Sequence, residues 1–316
     1  MRDRKGLVKM SNSFIKSPLN YTGGKHKLLP QLHTFFPSEC HRFVDLFAGG
    51  ANVAVNVSAN QVVAYDINEK VIELFQHMKI HTYEEIVTTI ENIIHYYELS
   101  DSTTNGYDYY GCDSSKGLGS YNKTNYTKMR SDYNAKQTDF PRELLFFSLI
   151  IFGFNNQIRF NRKGEFNMPV GKRDFNRNIR KNLQGFVESL HKNQIKFETR
   201  DFRTLAVKEL GEGDFVYADP PYLITVAAYN EQDGWTEKDE HDLLNLLDEL
   251  NAKGVRFALS NVLKKGDVTN EILHMWSKKY HVHELNFNYK NSSYHKKEKN
   301  GEEIEVLITN YEKADS

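Results

Sequence analysis

Phe43-Val44-Asp45-Leu46-Phe47-Ala48-Gly49-Gly50 is an apolar run that breaks into two glycines, and its reading decides the fold. Phe43 to Phe47 reads as a buried strand and Ala48 to Gly50 as a tight turn, since glycine lets the backbone bend sharply and approach a ligand closely. A helix is expected over 51–57. Gln61-Val62-Val63-Ala64-Tyr65-Asp66 then reads as a second strand ending on an acid. Strand, glycine turn, helix and strand make a βαβ opening. Asp66 stands about 20 residues after the first strand, where a ribose-binding carboxylate is expected. An ordinary tight turn with an incidental strand-end acid would use the same residues. No Walker pattern appears.

Outward from this unit, helices are expected over 70–78 and 83–97. Residues 101–139 are rich in Gly, Ser, Asn and Tyr and read as loop, with a short helix near 126–133. Residues 142–152 are strongly apolar and helical, and Arg162-Lys163-Gly164-Glu165 reads as a hairpin turn. A helix over 178–190 and a strand over 196–199 follow. The α/β pattern resumes with strand 215–218, helix 237–250, strand 255–259, helix 268–279 and two terminal strands, of which 305–309 closes the sheet. Residues 286–303 between them read as a charged, Lys-rich loop. The parse is a doubly wound α/β sheet interrupted by an insert near 80–195.

The chain has 316 residues and a formal net charge of -1, so any affinity for nucleic acid must come from a local patch. Cys40 and Cys112 form no metal-ligand spacing and point to a reducing compartment. No metal site, membrane span or signal-peptide core is read, which places the chain in the cytoplasm. Residues 1–12 read as a flexible arm.

Four segments carry chemistry. Asp219-Pro220-Pro221-Tyr222 leaves the strand 215–218. A carboxylate and a carbonyl accept from an amino group, a prolyl nitrogen cannot donate, and a tyrosine ring can lie against a base. Asn20-Tyr21-Thr22-Gly23-Gly24-Lys25 offers two glycines and a point charge for a carboxylate; an exposed turn reads equally well. In Arg200-Asp201-Phe202 the acid can reach an adenine amine and the ring can pack on a purine, although a strand-end Asp is often a helix cap. Arg159, Arg162, Lys163, Lys172, Arg173, Arg177, Arg180 and Lys181 face only Glu165 and Asp174. Phe154, Asn155, Asn156, Gln157 and Phe160 are interleaved. Arg, Asn and Gln read base edges and the excess charge suits phosphates.

In this order these motifs resemble the Dam family of DNA adenine-N6 methyltransferases (alpha class, D12 class). The resemblance runs over 13–313 and rests on YTGGK, DLFAGG, Asp66, RDF, FNNQIRFNRKGEFNMPVGK, DPPY, the LSN at Ser260-Asn261 and ITNYEK. It implies a seven-stranded Rossmann-like methyltransferase sheet with a mainly helical target-recognition insert carrying a β-hairpin. The S-adenosylmethionine domain would be 13–80 plus 196–313 and the recognition domain 81–195. Cofactor residues would be Tyr21, Gly23, Gly24, Lys25, Asp45, Phe47, Gly49, Gly50, Asp66, Asp201, Phe202 and Asp219. Asp219, Pro220, Pro221 and Tyr222 would be catalytic. DNA would be met by Asn20, Phe154, Asn155, Gln157, Arg159, Asn161, Arg162, Lys163, Pro169 and Lys172.

Three positions depart from the family pattern. Ala51 replaces a second spaced glycine, which implies a slightly altered turn. Asn20 replaces a lysine and Gln157 an apolar residue, which puts a GATC target in question. Residues 105–125 look like an extra loop. The expected activity is methyl transfer to adenine N6 in double-stranded DNA by base flipping, in a restriction-modification setting with a separately acting endonuclease and a monomeric enzyme. Cytosine-N4 or RNA-adenine methylation and a silent DNA- and cofactor-binding homologue are the alternatives; Asp rather than Ser at 219 favours adenine.

Overall fold

The computed structural model describes residues 14–21, 23–225, 234–285 and 303–313. The arm over 1–12, Thr22 and the Lys-rich loop over 286–302 lie outside the described residues. Eight strands form one sheet: β1 (Arg42–Asp45), β2 (Gln61–Asp66), β3 (Ile195–Thr199), β4 (Phe215–Ala218), β5 (Arg256–Lys265), β6 (Val268–Thr269), β7 (His281–Glu284) and β8 (Glu303–Thr309). The order is β3-β2-β1-β4-β5-β8-β7, with the two-residue β6 beside β5. The expected seven-stranded path is therefore present, with one small addition.

The first five strands of that path pair in parallel, and β8 runs antiparallel to both β5 and β7. Strand β8 does not close the sheet, as its position in the chain suggested; β7 is the edge. Parallel strands need helical crossovers on both faces and so are apolar on both. Successive side chains accordingly alternate between two cores. Phe43, Ala64, Phe215 and Tyr217 join one core, and Val44, Val63, Val216 and Ala218 join the other.

The helices are α1 (Leu29–Leu32), α2 (Glu69–Ile80), α3 (Tyr83–Tyr96), α4 (Ser102–Asn105), α5 (Gly119–Ala135), α6 (Arg142–Phe152), α7 (Arg177–Lys192), α8 (Glu237–Ala252) and α9 (Glu271–Ser277). Thr82 and Glu85 start α3 with a reciprocal capping box, which satisfies two backbone donors at once. Helix α6 is buried from Leu144 to Phe152 and packs against α2, α3 and α5.

Four expectations are corrected. The helix expected over 51–57 shrinks to one 3-10 turn, Ala54–Asn56. Most of the loop expected over 101–139 is helical, because α5 buries Tyr126, Met129 and Tyr133 along one side of a polar sequence. The start of the expected helix at 268 is strand β6, and Asn270 caps α9 by accepting from Leu273 N. The hairpin around Gly164 consists of isolated bridges, Phe160 to Phe166 and Gly153 to Val170, rather than full strands. Among the described residues no helix is long and apolar enough to cross a membrane.

Candidate functional site

Strand order reverses between β1 and β4: β2 and β3 follow on one side, β5 on the other. Ligands of open α/β sheets sit at the carboxyl ends of strands at such a switch point. Both principal motifs are there, since the glycine turn leaves β1 and Asp219-Pro220-Pro221-Tyr222 leaves β4.

The glycine turn is shaped by its neighbours. A Cβ on Gly49 would stand 3.0 Å from the Tyr21 ring, at a φ of +48°, so the ring rests where no side chain fits. Gly49 N and Asn68 N each donate to the Asp66 carboxylate at 2.8 Å. Burial raises the Asp66 pKa, and these backbone donors oppose the rise. Asp45 is 1% exposed and its Oδ1 has no partner among the described residues. Burial first, then the charge of Asp219, pushes the Asp45 carboxyl up to about 8.

Lys25 does not stand free for a ligand carboxylate. It is buried, and its Nζ lies 2.8 Å from Asp219 Oδ1 and 3.5 Å from Glu305 Oε1. It donates to Tyr222 Oη at 2.6 Å and to the Gly23 carbonyl at 3.0 Å. Burial alone would lower the Lys25 pKa; the two carboxylates outweigh it and the pKa is raised. Tyr222 Oη is also 3.0 Å from Asp219 Oδ1 and 3.1 Å from Glu305 Oε1. Burial raises the Asp219 and Glu305 carboxyls, with Lys25 pulling both back.

Phe47, Phe202 and Trp235 form an aromatic cluster, with ring centroids 5.4 to 5.7 Å apart. Asp201 belongs to a different arrangement. It caps the turn Phe202–Thr204 by accepting from Arg203 N and pairs with the Arg203 guanidinium, which extends to Asp239 and Asp242.

At the far side of the site, Phe154 is 47% exposed. It is held by the return segment, where Phe154 N donates to the Pro169 carbonyl at 2.8 Å and Gly171 N to the Phe152 carbonyl at 2.7 Å. A Cβ on Gly171 would meet Gly153 O at 2.4 Å, which explains a glycine two positions after Pro169. Asn155 and Asn156 both have a φ of +53°, a region asparagine tolerates better than most residues. Asn20 Nδ2 donates to the Asn155 carbonyl at 2.9 Å, tying the Tyr21-to-Lys25 segment to this apex.

The basic patch divides between surfaces. Arg159 Nε and Nη2 donate to Asn167 Oδ1 and O at 2.8 and 2.9 Å. Asn161 Oδ1 accepts from Lys163 N and Glu165 N and so makes the hairpin turn itself. Gln157, Arg162, Lys163, Pro169 and Lys172 are exposed. Arg180 stacks on Phe175 and pairs with Glu91. Arg173 and Arg177 line a groove of about 690 Å³ with Lys16, Asn20, Asn156 and Asn182, and among the described residues no carboxylate lines it.

Glu305, Trp235 and Lys16 were not singled out from sequence. Glu305 carried a signal: an acid inside an apolar strand needs a buried partner.

The sheet and the order of its motifs are those of a methyltransferase. The family model of the "D12 class N6 adenine-specific DNA methyltransferase" matches residues 21–291, and the chain belongs to this family. The chain is 43% identical over 307 residues to "Type II methyltransferase M.FokI" of Planomicrobium okeanokoites, covering 95% of this chain and 44% of that protein. It is 38% identical over 313 residues to "Modification methylase StsI" of Streptococcus sanguinis, covering 96% and 44%. "Type II methyltransferase M1.LlaDCHI" of Lactococcus lactis subsp. cremoris is 28% identical, covering 92% and 94%. The chain thus spans less than half the length of the first two relatives.

Proposed function

We propose that the chain transfers a methyl group from S-adenosylmethionine to adenine N6 at a specific site in double-stranded DNA. The observation that carries this reading is the Asp219 carboxylate at the exit of β4, beside the glycine turn of β1 and in contact with Tyr222. The cofactor, when bound, supplies an electrophilic methyl on a sulfonium. The residues fit it. The orphaned Asp45 Oδ1 awaits a donor, Asp66 has lone pairs left for hydroxyls, and the Tyr21 ring floors the glycine turn.

Adenine N6 is out of reach inside a duplex, so the base is flipped at a cost of about a few kcal/mol. Exposed Phe154 fills the gap, as apolar wedges do. Asp219 and the Pro220 carbonyl accept from the amine, turning its lone pair out of ring conjugation. Tyr222 stacks on the base, its hydroxyl anchored from below. Alignment supplies most of the acceleration. Asn155, Gln157, Arg159, Arg162, Lys163 and Lys172 face the duplex, and the acid-free groove of Lys16, Arg173 and Arg177 takes flanking phosphates. The names of its relatives support reading the enzyme as the modification arm of a restriction-modification pair; that it acts as a monomer in the cytoplasm is part of the same proposal.

The test is tritium transfer from labelled cofactor into DNA, followed by nucleoside analysis. Label is expected in N6-methyladenine. Asp219→Ala should lose at least about 100-fold in transfer while keeping DNA binding. Label in cytosine or only in RNA, or full activity of that variant, refutes the assignment.

A further inference from the structure

Glu305 enters the mechanism above only as one acceptor of the Tyr222 hydroxyl, yet it also stands beside Lys25 in the same pocket. It lies inside β8, 5% exposed, with Oε1 3.5 Å from Lys25 Nζ and 3.1 Å from Tyr222 Oη. One ammonium therefore faces two carboxylates. The other ionisable groups around them are Tyr222, Tyr217 and Asp45. The Tyr217 hydroxyl is bonded to Ser260, and Asp45, whose carboxyl is pushed up to about 8, supplies no cation. Among the described residues, Lys25 is the cation that serves the whole cluster.

The pocket as it stands has an obstacle. Both polar partners of Asp219, Lys25 Nζ and Tyr222 Oη, meet it at Oδ1. No described residue bonds Oδ2, so an amine can approach there, but it meets a carboxylate whose charge that ammonium already shares. Nitrogen also becomes positive as it is methylated, and a cation held on Asp219 opposes this. Pushing Lys25 aside without a counter-ion would strand a buried charge, which costs far more than the amine's hydrogen bonds return. Glu305 removes the difficulty, because it already lies within 3.5 Å of the same nitrogen.

We propose that Glu305 is a positioning residue for methyl transfer: it takes over Lys25 when the base docks, so that Asp219 meets the amine as a free carboxylate. This rests on the adenine-N6 reading and adds to it. The exchange itself moves no proton, since the ammonium only trades one carboxylate for another; in the transfer the S–CH3 bond breaks as N–CH3 forms, and the acidic N–H of the methylated amine then leaves by way of Asp219 or solvent.

The experiment is single-turnover tritium transfer at saturating DNA and cofactor, over about pH 5.5 to 9, for wild type, Glu305→Gln, Glu305→Asp, Lys25→Met and the double variant Lys25→Met with Glu305→Gln. Glu305→Gln should slow transfer on the order of 100-fold with DNA affinity unchanged, and Glu305→Asp should recover to within about tenfold of wild type. The acid limb of the Glu305→Gln profile should move to lower pH, because losing a neighbouring negative charge lets Asp219 ionise more readily. The double variant should be no slower than Lys25→Met alone, since in the proposed role Glu305 acts through that lysine; an effect carried by its contact with Tyr222 Oη would instead give losses that multiply. Should Glu305→Gln fail to fold, Glu305→Asp takes its place in the cycle, and its loss should likewise vanish in the Lys25→Met background. Wild-type speed in Glu305→Gln, or losses that multiply in the double variant, would overturn the proposal. A wild-type enzyme that leaves no label in adenine removes both readings. One that labels adenine while Glu305→Gln is unimpaired removes this one alone.

Discussion

Lys25 Nζ stands 2.8 Å from Asp219 Oδ1, joining the Gly-Gly-Lys turn to the exit of β4 in one buried contact. Removing one partner of such a pair leaves an uncompensated charge, which is worse than never having had the pair. Here it would leave two neighbouring carboxylates without a cation. Lys25→Met should cost about 3 to 5 kcal/mol of stability at pH 8. The cost should shrink at pH 5, where carboxyls already raised by burial take up protons. Urea denaturation at the two pH values is the check, and a loss that does not depend on pH would speak against a charge origin.

Asp45 governs a second pH dependence. Its carboxyl is pushed up to about 8 in the folded chain from 3.8. The folded state therefore binds this proton more tightly than the unfolded state does. The resulting stability is complete below about pH 4 and is lost as pH climbs through the folded value. Asp45→Asn should flatten the stability profile over that window and gain on the order of 4 kcal/mol over wild type at its alkaline end, without cofactor. Parallel profiles for the two proteins would rule this out.

Ala51 has a φ of +57° while fully buried. A Cβ in that left-handed region costs roughly 1 kcal/mol or more. Ala51→Gly should therefore raise stability by about 0.5 to 1 kcal/mol, a small cavity offsetting part of the gain. An unchanged or lowered urea midpoint would show that the turn is unstrained.

The groove of Lys16 and Arg177 makes a prediction in salt. Each phosphate contact contributes about one unit to the slope of log K against log salt concentration. Lys16→Gln with Arg177→Gln should make that slope shallower by about 1 to 2, with affinity falling alike for cognate and non-cognate duplexes. Fluorescence anisotropy over a salt series measures it, and an unaltered slope would place the DNA elsewhere.

Much of the sheet was legible because its strands are apolar on both faces and end on turn chemistry: Gln61–Asp66 and Phe215–Ala218 run where the sequence puts them. Only the 126–133 part of helix α5 was legible, because its buried stripe is Tyr126, Met129 and Tyr133 within a polar sequence and no apolar period marks the turns before it. The turn after Gly50 misled because Ala51 adopts a glycine-like conformation and shortens the helix behind it. At the site, motif residues could be named from sequence but their partners could not. Lys25 suggested a ligand carboxylate, and only the fold reveals that Asp219 and Glu305 already hold it. Arg159 likewise gives Nε and Nη2 to Asn167, and Asn161 gives its Oδ1 to the hairpin turn, partners that the sequence does not show.

Strand β8 fills a gap between β5 and β7 rather than extending the rim. A nascent chain therefore exposes the Asp219 pocket on a half-built sheet until β8 has left the ribosome and slotted in. Charge balance around the ammonium is therefore completed later in synthesis than the β1 to β5 framework that holds the rest of the pocket.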